Sequence, residues 1–183
     1  MKIKPFGLPA SHQYEDYKNI EMRTAIIYVS KHGTTEKAVR KIAEKLGNHE
    51  VSFFNLKTDK NPDITPFDGI ILGTPVYAGT PSKRMQTFIK NHAEILTAKR
   101  IGLFVCGMEL NREKQQQELE NAYPLSLKEQ AITKHFLGGE FIFEKMNFFE
   151  RAIIKRIAKT DKSVSRIDED GIGKFVTDFI EQK

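Results

Sequence analysis

Short, unbroken apolar runs alternate with helix-patterned stretches along most of this chain, and that alternation limits the fold more than any other feature. TAIIYV (24–29), DGIILG (68–73) and RIGLFVC (100–106) are apolar at consecutive positions rather than at every second one. Runs of this kind suit strands buried on both faces. VSFFNL (51–56) reads as another strand and KHFLGGEF (134–141) as a fifth. TEKAVRKIAEKL (35–46) puts Ala38, Val39, Ile42, Ala43 and Leu46 on one helical face, and Gly47 supplies a stop. Residues 82–93 make a second helix with Met85, Phe88 and Ile89 inward. Two polar helices, 112–122 and 125–132, are split at Pro124; 144–159 is an amphipathic helix and 171–181 the last one. Strands joined through helices run parallel, with helices covering both faces. The expected fold is α/β: three layers, doubly wound, with a five-stranded parallel sheet in the order 2-1-3-4-5.

The 183 residues suit one domain. Residues 1–22 carry no clear period and include Pro5 and Pro9, so they read as an N-terminal extension, with a short helix over 11–22 as the alternative; the domain proper is expected over 23–183. Cys106 is the only cysteine, which excludes an internal disulfide, cysteine-based zinc sites and cysteine-ligated iron–sulfur clusters. A reducing, cytoplasmic setting fits. No apolar run approaches the roughly 18 residues of a membrane span, and the polar start lacks a secretory apolar core. The five histidines are scattered without metal-ligand spacing, so no metal site is expected. No basic patch interleaved with aromatics points to nucleic acid, and no Ser/His/Asp arrangement stands out.

In a doubly wound sheet, ligands sit beyond the carboxyl ends of the strands, where the strand order reverses. Three loops lie there. Ser30-Lys31-His32-Gly33-Thr34-Thr35 runs straight into a helix, whose first N–H groups face outward and bind anions. Ser30, Thr34 and Thr35 add hydroxyls, and Gly33 brings the backbone close to an anion. The GxxxxGK[ST] and GxGxxG spacings are both absent. A hydroxyl-rich N-cap is the bland alternative. Thr74, Pro75, Val76, Tyr77, Ala78 and Gly79 form the second loop, its shape set by glycine and proline. Tyr77 can stack on a flat ring, or simply cover the sheet edge. Cys106, Gly107 and Met108 open the third loop, where Gly107 permits close backbone approach, Met108 or Leu110 can cover a ring, and Cys106 also reads as buried and inert.

The first loop resembles the flavodoxin phosphate loop, a [ST]-x-[ST]-G-x-T pattern that holds the phosphate of FMN; His32 stands where a hydroxyl is usual, and an imidazole N–H can donate there. Gly73-Thr74-Pro75-Val76-Tyr77 resembles the flavodoxin loop that lies against the isoalloxazine. The resemblance covers about residues 23–182 and implies a flavodoxin-like domain with non-covalent FMN. Within that family, FLGGEFIFEKMNFFERAIIKRIAKT (136–160), IDEDGIGKFVTDF (167–179) and the opening MRTAIIYVSKHGTTEKAVRKIAEKL are most similar to menaquinone-dependent protoporphyrinogen dehydrogenases. That likeness implies an FMN-dependent oxidoreductase of haem biosynthesis, passing electrons from a porphyrinogen to a quinone. Two alternatives stand beside it: a non-enzymatic electron carrier that docks on a redox partner protein, and an FMN-dependent quinone or NAD(P)H reductase. Ordinary flavodoxins are typically strongly acidic, whereas this chain carries a net charge of +5.

Much of that charge lies in residues 144–166, where Lys145, Arg151, Lys155, Arg156, Lys159, Lys162 and Arg166 face Glu144, Glu150 and Asp161 for a net +4. Phe148, Phe149, Ile153, Ile154 and Ile157 give the same segment an apolar stripe. The stripe can pack on the sheet with its charges solvated, lie on an anionic membrane surface as a peripheral contact, or attract the propionates of a porphyrin.

Overall fold

A computed structural model describes residues 22–77, 79–158 and 162–182. Five strands, β1 (Thr24–Tyr28), β2 (Val51–Asn55), β3 (Gly69–Tyr77), β5 (Arg100–Cys106) and β6 (Thr133–Phe136), form a parallel sheet in the order β2-β1-β3-β5-β6. That is the expected winding, with the strand order reversing between β1 and β3. A two-residue strand, β4 (Thr80–Pro81), pairs antiparallel with the end of β3. The helices are α1 (Thr34–Leu46), α2 (Lys83–Asn91), α3 (Ala93–Leu96), α4 (Arg112–Ala122), α5 (Leu125–Gln130), α6 (Phe148–Ala158) and α7 (Glu169–Glu181).

Side chains alternate across each strand and so divide the core in two. Ala25, Ile27, Ile70, Leu72, Leu103 and Val105 point to one face, against Met85 and Phe88 of α2, Leu119 of α4 and Leu127 of α5. Ile26, Tyr28, Ile71 and Phe104 point to the other, against Ala38, Val39 and Ile42 of α1 and Ile172, Phe175 and Phe179 of α7. Met22 packs against this second layer; the expectations for residues 1–21 lie outside the described residues.

The parallel register sets Gly73 opposite Phe104. A β-carbon on Gly73 would fall 2.1 Å from the Phe104 ring, so the ring of one strand fills the space left by the other. Across the sheet, the buried Tyr123 hydroxyl shares its proton between the carbonyls of Leu72 (2.8 Å) and Phe104 (2.7 Å). Its burial pushes the phenol well above its usual range.

Three expectations are corrected. The stretch 74–77 is strand rather than loop: β3 continues beside β5 through Thr74↔Val105 and Pro75↔Cys106, and the turn lies beyond Tyr77, with Gly79 at φ 74°. The physical reason is where β1 stops. The Gly73 carbonyl accepts the Val29 N–H at the end of β1, so Pro75, two residues on, faces the same side beyond that end. A proline there removes no ladder bond. Second, the predicted fifth strand 134–141 is broken. β6 ends at Phe136, Gly138 takes a left-handed φ of 69°, and Glu140–Phe141 (β7) pairs antiparallel with Val164–Ser165 (β8) in a separate ribbon. A β-carbon on Gly138 would lie 1.8 Å from the Arg166 carbonyl oxygen, so the returning chain requires glycine there. Third, the helix read over 144–159 begins at Phe148, after a 3₁₀ turn over Phe143–Lys145. Smaller differences are α5 ending at Gln130, the 82–93 helix dividing at His92, and α7 starting at Glu169, where the Asp168 carboxylate accepts the Gly171 N–H (2.8 Å). Among the described residues, no helix is long and apolar enough to cross a membrane.

The glycine at 73 yields a contrast. Gly73→Ala is expected to lower the unfolding free energy by about 3 kcal/mol in urea titrations, because the Phe104 ring has no room to retreat. Gly173→Ala on α7, whose nearest outside atom is 3.9 Å from the added carbon, is expected to leave stability unchanged or raise it by about 0.5–1 kcal/mol.

Candidate functional site

The carboxyl ends of β1, β3 and β5 bring the three loops to one edge. In the first, the Ser30 side chain is buried and its Oγ accepts the Gly33 N–H at 3.1 Å. This bond folds the loop back on itself, and Gly33 completes the turn at φ 97°, a conformation in which a β-carbon is strained. The first backbone bond into α1 runs from the Lys37 N–H to the Gly33 carbonyl (2.9 Å), and no side chain caps the helix. The N–H groups of Thr34, Thr35 and Glu36 therefore have no intrahelical acceptor and face the positive end of the helix dipole outward. Thr35 is buried beside the Cys106 thiol. Of the three hydroxyls, Ser30 and Thr35 thus shape the loop, and half-buried Thr34 stands at its mouth beside half-buried His32 and Gly33.

Tyr77 ends β3 with 52% of its surface exposed, and the His32 ring meets it edge-on with centroids 6.4 Å apart. The contact joins the first two loops over the helix tip. The other second-loop residues turn inward. Thr74 is fully buried, its Oγ1 accepting the Ser82 N–H (3.3 Å) and donating to the Pro75 carbonyl (3.3 Å). Pro75 is buried in β3, and Val76 belongs to the core. Their side chains do not face the edge, so any contact from 74–76 comes from the backbone. Gly79 turns at φ 74° in open space; Ala78 lies outside the described residues.

The third loop is tied down from below. Cys106 is buried, and burial pushes its thiol up to about 12. The Gly107 N–H donates to the Gly138 carbonyl (3.0 Å), while a β-carbon on Gly139 would lie 2.5 Å from the Gly107 oxygen. Two backbones therefore touch where the edge of the sheet breaks. Met108 is half-buried at the opening.

Three carboxylates escape a reading of the sequence. Glu109 Oε1 accepts the N–H groups of both Asn111 and Leu110 at 2.8 Å, which holds its carboxyl below the usual range. Glu118, on α4, points Oε2 into the underside of this loop, 3.1 Å from where a β-carbon on residue 107 would sit, sealed from water and without a hydrogen-bond partner. Burial first, and the Glu109 charge second, raise its pKa. Glu140 is almost fully buried and accepts from Lys37 Nζ (2.5 Å) and Ser165 Oγ (2.7 Å), fastening the β7–β8 ribbon to the first turn of α1. Glu109 takes its partners from the next two residues, whereas Glu118 and Glu140 acquire their environment from distant chain.

A polar groove of about 530 Å³ opens beside the third loop, between α4, β6 and residues 166–168. Leu110 lies at its rim, with Arg112, Lys134 and Arg166 along its walls. Together the edge offers unpaired N–H donors for an anion, an exposed phenol to flank a planar group, and a cationic groove alongside.

A family model described as a flavodoxin domain matches residues 25–168. A flavodoxin from Clostridium saccharobutylicum is 33% identical over 84 residues, 44% of this chain and 52% of that protein, so the chain spans about half the length of the curated relative it matches. Among solved structures, oxidised flavodoxin 1 from Bacillus cereus is 18% identical and covers 88% of this chain and 99% of its own, with a TM-score of 0.52. The Fusobacterium nucleatum flavodoxin bound to flavin mononucleotide is 16% identical and covers 88% and 98%, with a TM-score of 0.53. These two likenesses show the fold.

The position of Glu118 has a measurable sign. Its folded pKa lies above the ordinary 4.5. Its protonated form therefore supports folding at low pH, and that support fades as pH rises through the folded pKa. In urea unfolding between pH 4 and 8, Glu118→Gln should gain on the parent as pH rises and then level off; a difference independent of pH would contradict the burial of this carboxyl.

Proposed function

This chain belongs to the flavodoxin-domain family, and we propose that it binds FMN non-covalently and serves as an electron-transfer protein between redox partner proteins. The observation that carries this is the tip of α1: three N–H groups without intrahelical acceptors follow a left-handed Gly33, with no side-chain cap to compete and Tyr77 beside them. These residues fit the cofactor. The N–H groups of 34–36 and the Thr34 hydroxyl hold the phosphate, the His32 imidazole adds a donor at its flank, and Tyr77 lies against the ring. The backbone of Gly79 and Met108 closes around it. Bound FMN supplies the exchange of one or two electrons. The protein's own part is to bind the anion, orient the ring and keep water from one face.

A second reading makes the chain an oxidoreductase that takes electrons from a porphyrinogen and gives them to a quinone. Two observations favour it. The chain is basic, with a pI near 9.2, which does not suit docking on basic partners through an acidic face. The groove beside the third loop presents Arg112, Lys134 and Arg166, while the one carboxylate on its wall, Asp168, is committed to capping α7. Carboxylates of a substrate resting there would lie next to Leu110 of the third loop.

Titration of the flavin-free protein tests the main reading. FMN is expected to bind about 100-fold tighter than riboflavin, roughly 2.7 kcal/mol, the worth of one or two hydrogen bonds to a charged group. Equal affinities would remove the phosphate from the α1 tip, and no FMN binding would end the proposal. Menaquinone-dependent turnover of protoporphyrinogen by the FMN-loaded protein separates the second reading from the first.

A further inference from the structure

Past β6 the chain runs out at Gly139 and comes back at Arg166, whose N–H meets the Gly139 carbonyl, and among the described residues the segment between adds no strand to the main sheet. Its helix, α6, turns a broad face to solvent. Phe148, Phe149, Arg151, Ala152, Lys155 and Arg156 are all exposed and share one side of the helix at 100° per residue. Phe148 is 80% and Phe149 77% exposed, with the rings in edge contact at 5.9 Å. No other pair of adjacent large apolar side chains among the described residues is exposed to this degree. The packing alternative raised for these two phenylalanines is thereby corrected, since neither is buried against the sheet.

We propose that the α6 face is a docking surface for an anionic lipid bilayer, with Phe148 and Phe149 entering the headgroup–acyl boundary and Lys155 and Arg156 resting among the lipid phosphates, while Arg151 on the same face is bonded to the Phe143 carbonyl (2.7 Å). The charge of the face selects this partner. Its six residues carry three cations and no carboxylate, and the 144–166 segment as a whole has a net +4. Aromatic side chains beside lysine and arginine are the composition of an interfacial helix, whereas lysine is depleted from the buried centre of protein–protein contacts. The helix has 11 residues and so is about 16 Å long, about half the thickness of the hydrocarbon layer, and it lies along the surface rather than across it. Glu140, at the start of the segment, is bonded to Lys37 one turn beyond Gly33, which ties the foot of the segment to the first turn of α1. The lipid contact stands whether or not FMN is the cofactor.

The chain contains no tryptophan, so Phe149→Trp places a single reporter on the face. With full-length protein at 0.1 M NaCl, phosphatidylcholine vesicles containing 30% phosphatidylglycerol should shift the emission of that variant to the blue and expose it to quenching by brominated acyl chains. Pure phosphatidylcholine should do neither. In flotation, the unsubstituted chain should bind the mixed vesicles at least 10-fold tighter than neutral ones. Phe148→Ser with Phe149→Ser, and separately Lys155→Glu with Arg156→Glu, should each weaken binding at least 10-fold while leaving circular dichroism unchanged. Absence of flotation, or equal flotation by the parent and both double variants, overturns the proposal. Concentration-dependent self-association abolished by the serine pair, with no vesicle binding, overturns it too and assigns the face to a second copy. The flavin-free and FMN-loaded forms should float alike, so failure here and failure of the FMN reading are distinguishable.

Discussion

Phe104 lies across the space that a side chain on residue 73 would need, and most of what matters in this molecule depends on that exclusion. It fixes how β3 sits against β5, and Tyr123, which donates to carbonyls on both strands, ties the same pair from the other layer. With β1, β3 and β5 held in this register, their carboxyl ends reach the same edge. Ser30, Tyr77 and Met108, separated widely in sequence, then surround one helix tip. An anion site at this tip would need little dedicated chemistry beyond that alignment, because its donors are backbone N–H groups that every helix start possesses.

The fold was legible because strands buried on both faces leave an unmistakable trace, as TAIIYV, DGIILG and RIGLFVC do, and because parallel strands separated by helices admit few windings. The ends of elements were less legible. Gly73-Thr74-Pro75 looks like a loop when only local chemistry is considered, yet it is strand, since β1 has stopped and the proline has no partner to lose. Leu137-Gly138-Gly139 looks like continuous strand, yet its left-handed turn is imposed by a chain segment returning from more than twenty residues away.

The site shows the same division. Gly33 and Tyr77 could be picked out from motif alone. Ser30 and Thr35 could be named but not assigned their work, because whether a hydroxyl faces a ligand or the interior is decided by the fold; here Ser30 accepts the Gly33 N–H and Thr35 is buried. Glu118 and Glu140 had no trace at all. One is ordinary on a polar helix until α4 lands under Gly107, and the other meets Lys37 across 103 residues of sequence.

The excursion from Glu140 to Ser165 leaves and rejoins the fold at almost one point. Backbone bonds join Arg166 to Gly139 (2.8 Å) and Asp168 to Leu137 (3.1 Å), closing its neck. A segment hung in this way behaves as an appendix to the architecture. It can be lengthened or trimmed without displacing a strand of the main sheet, so the surface it carries can change while the sheet stays as it is.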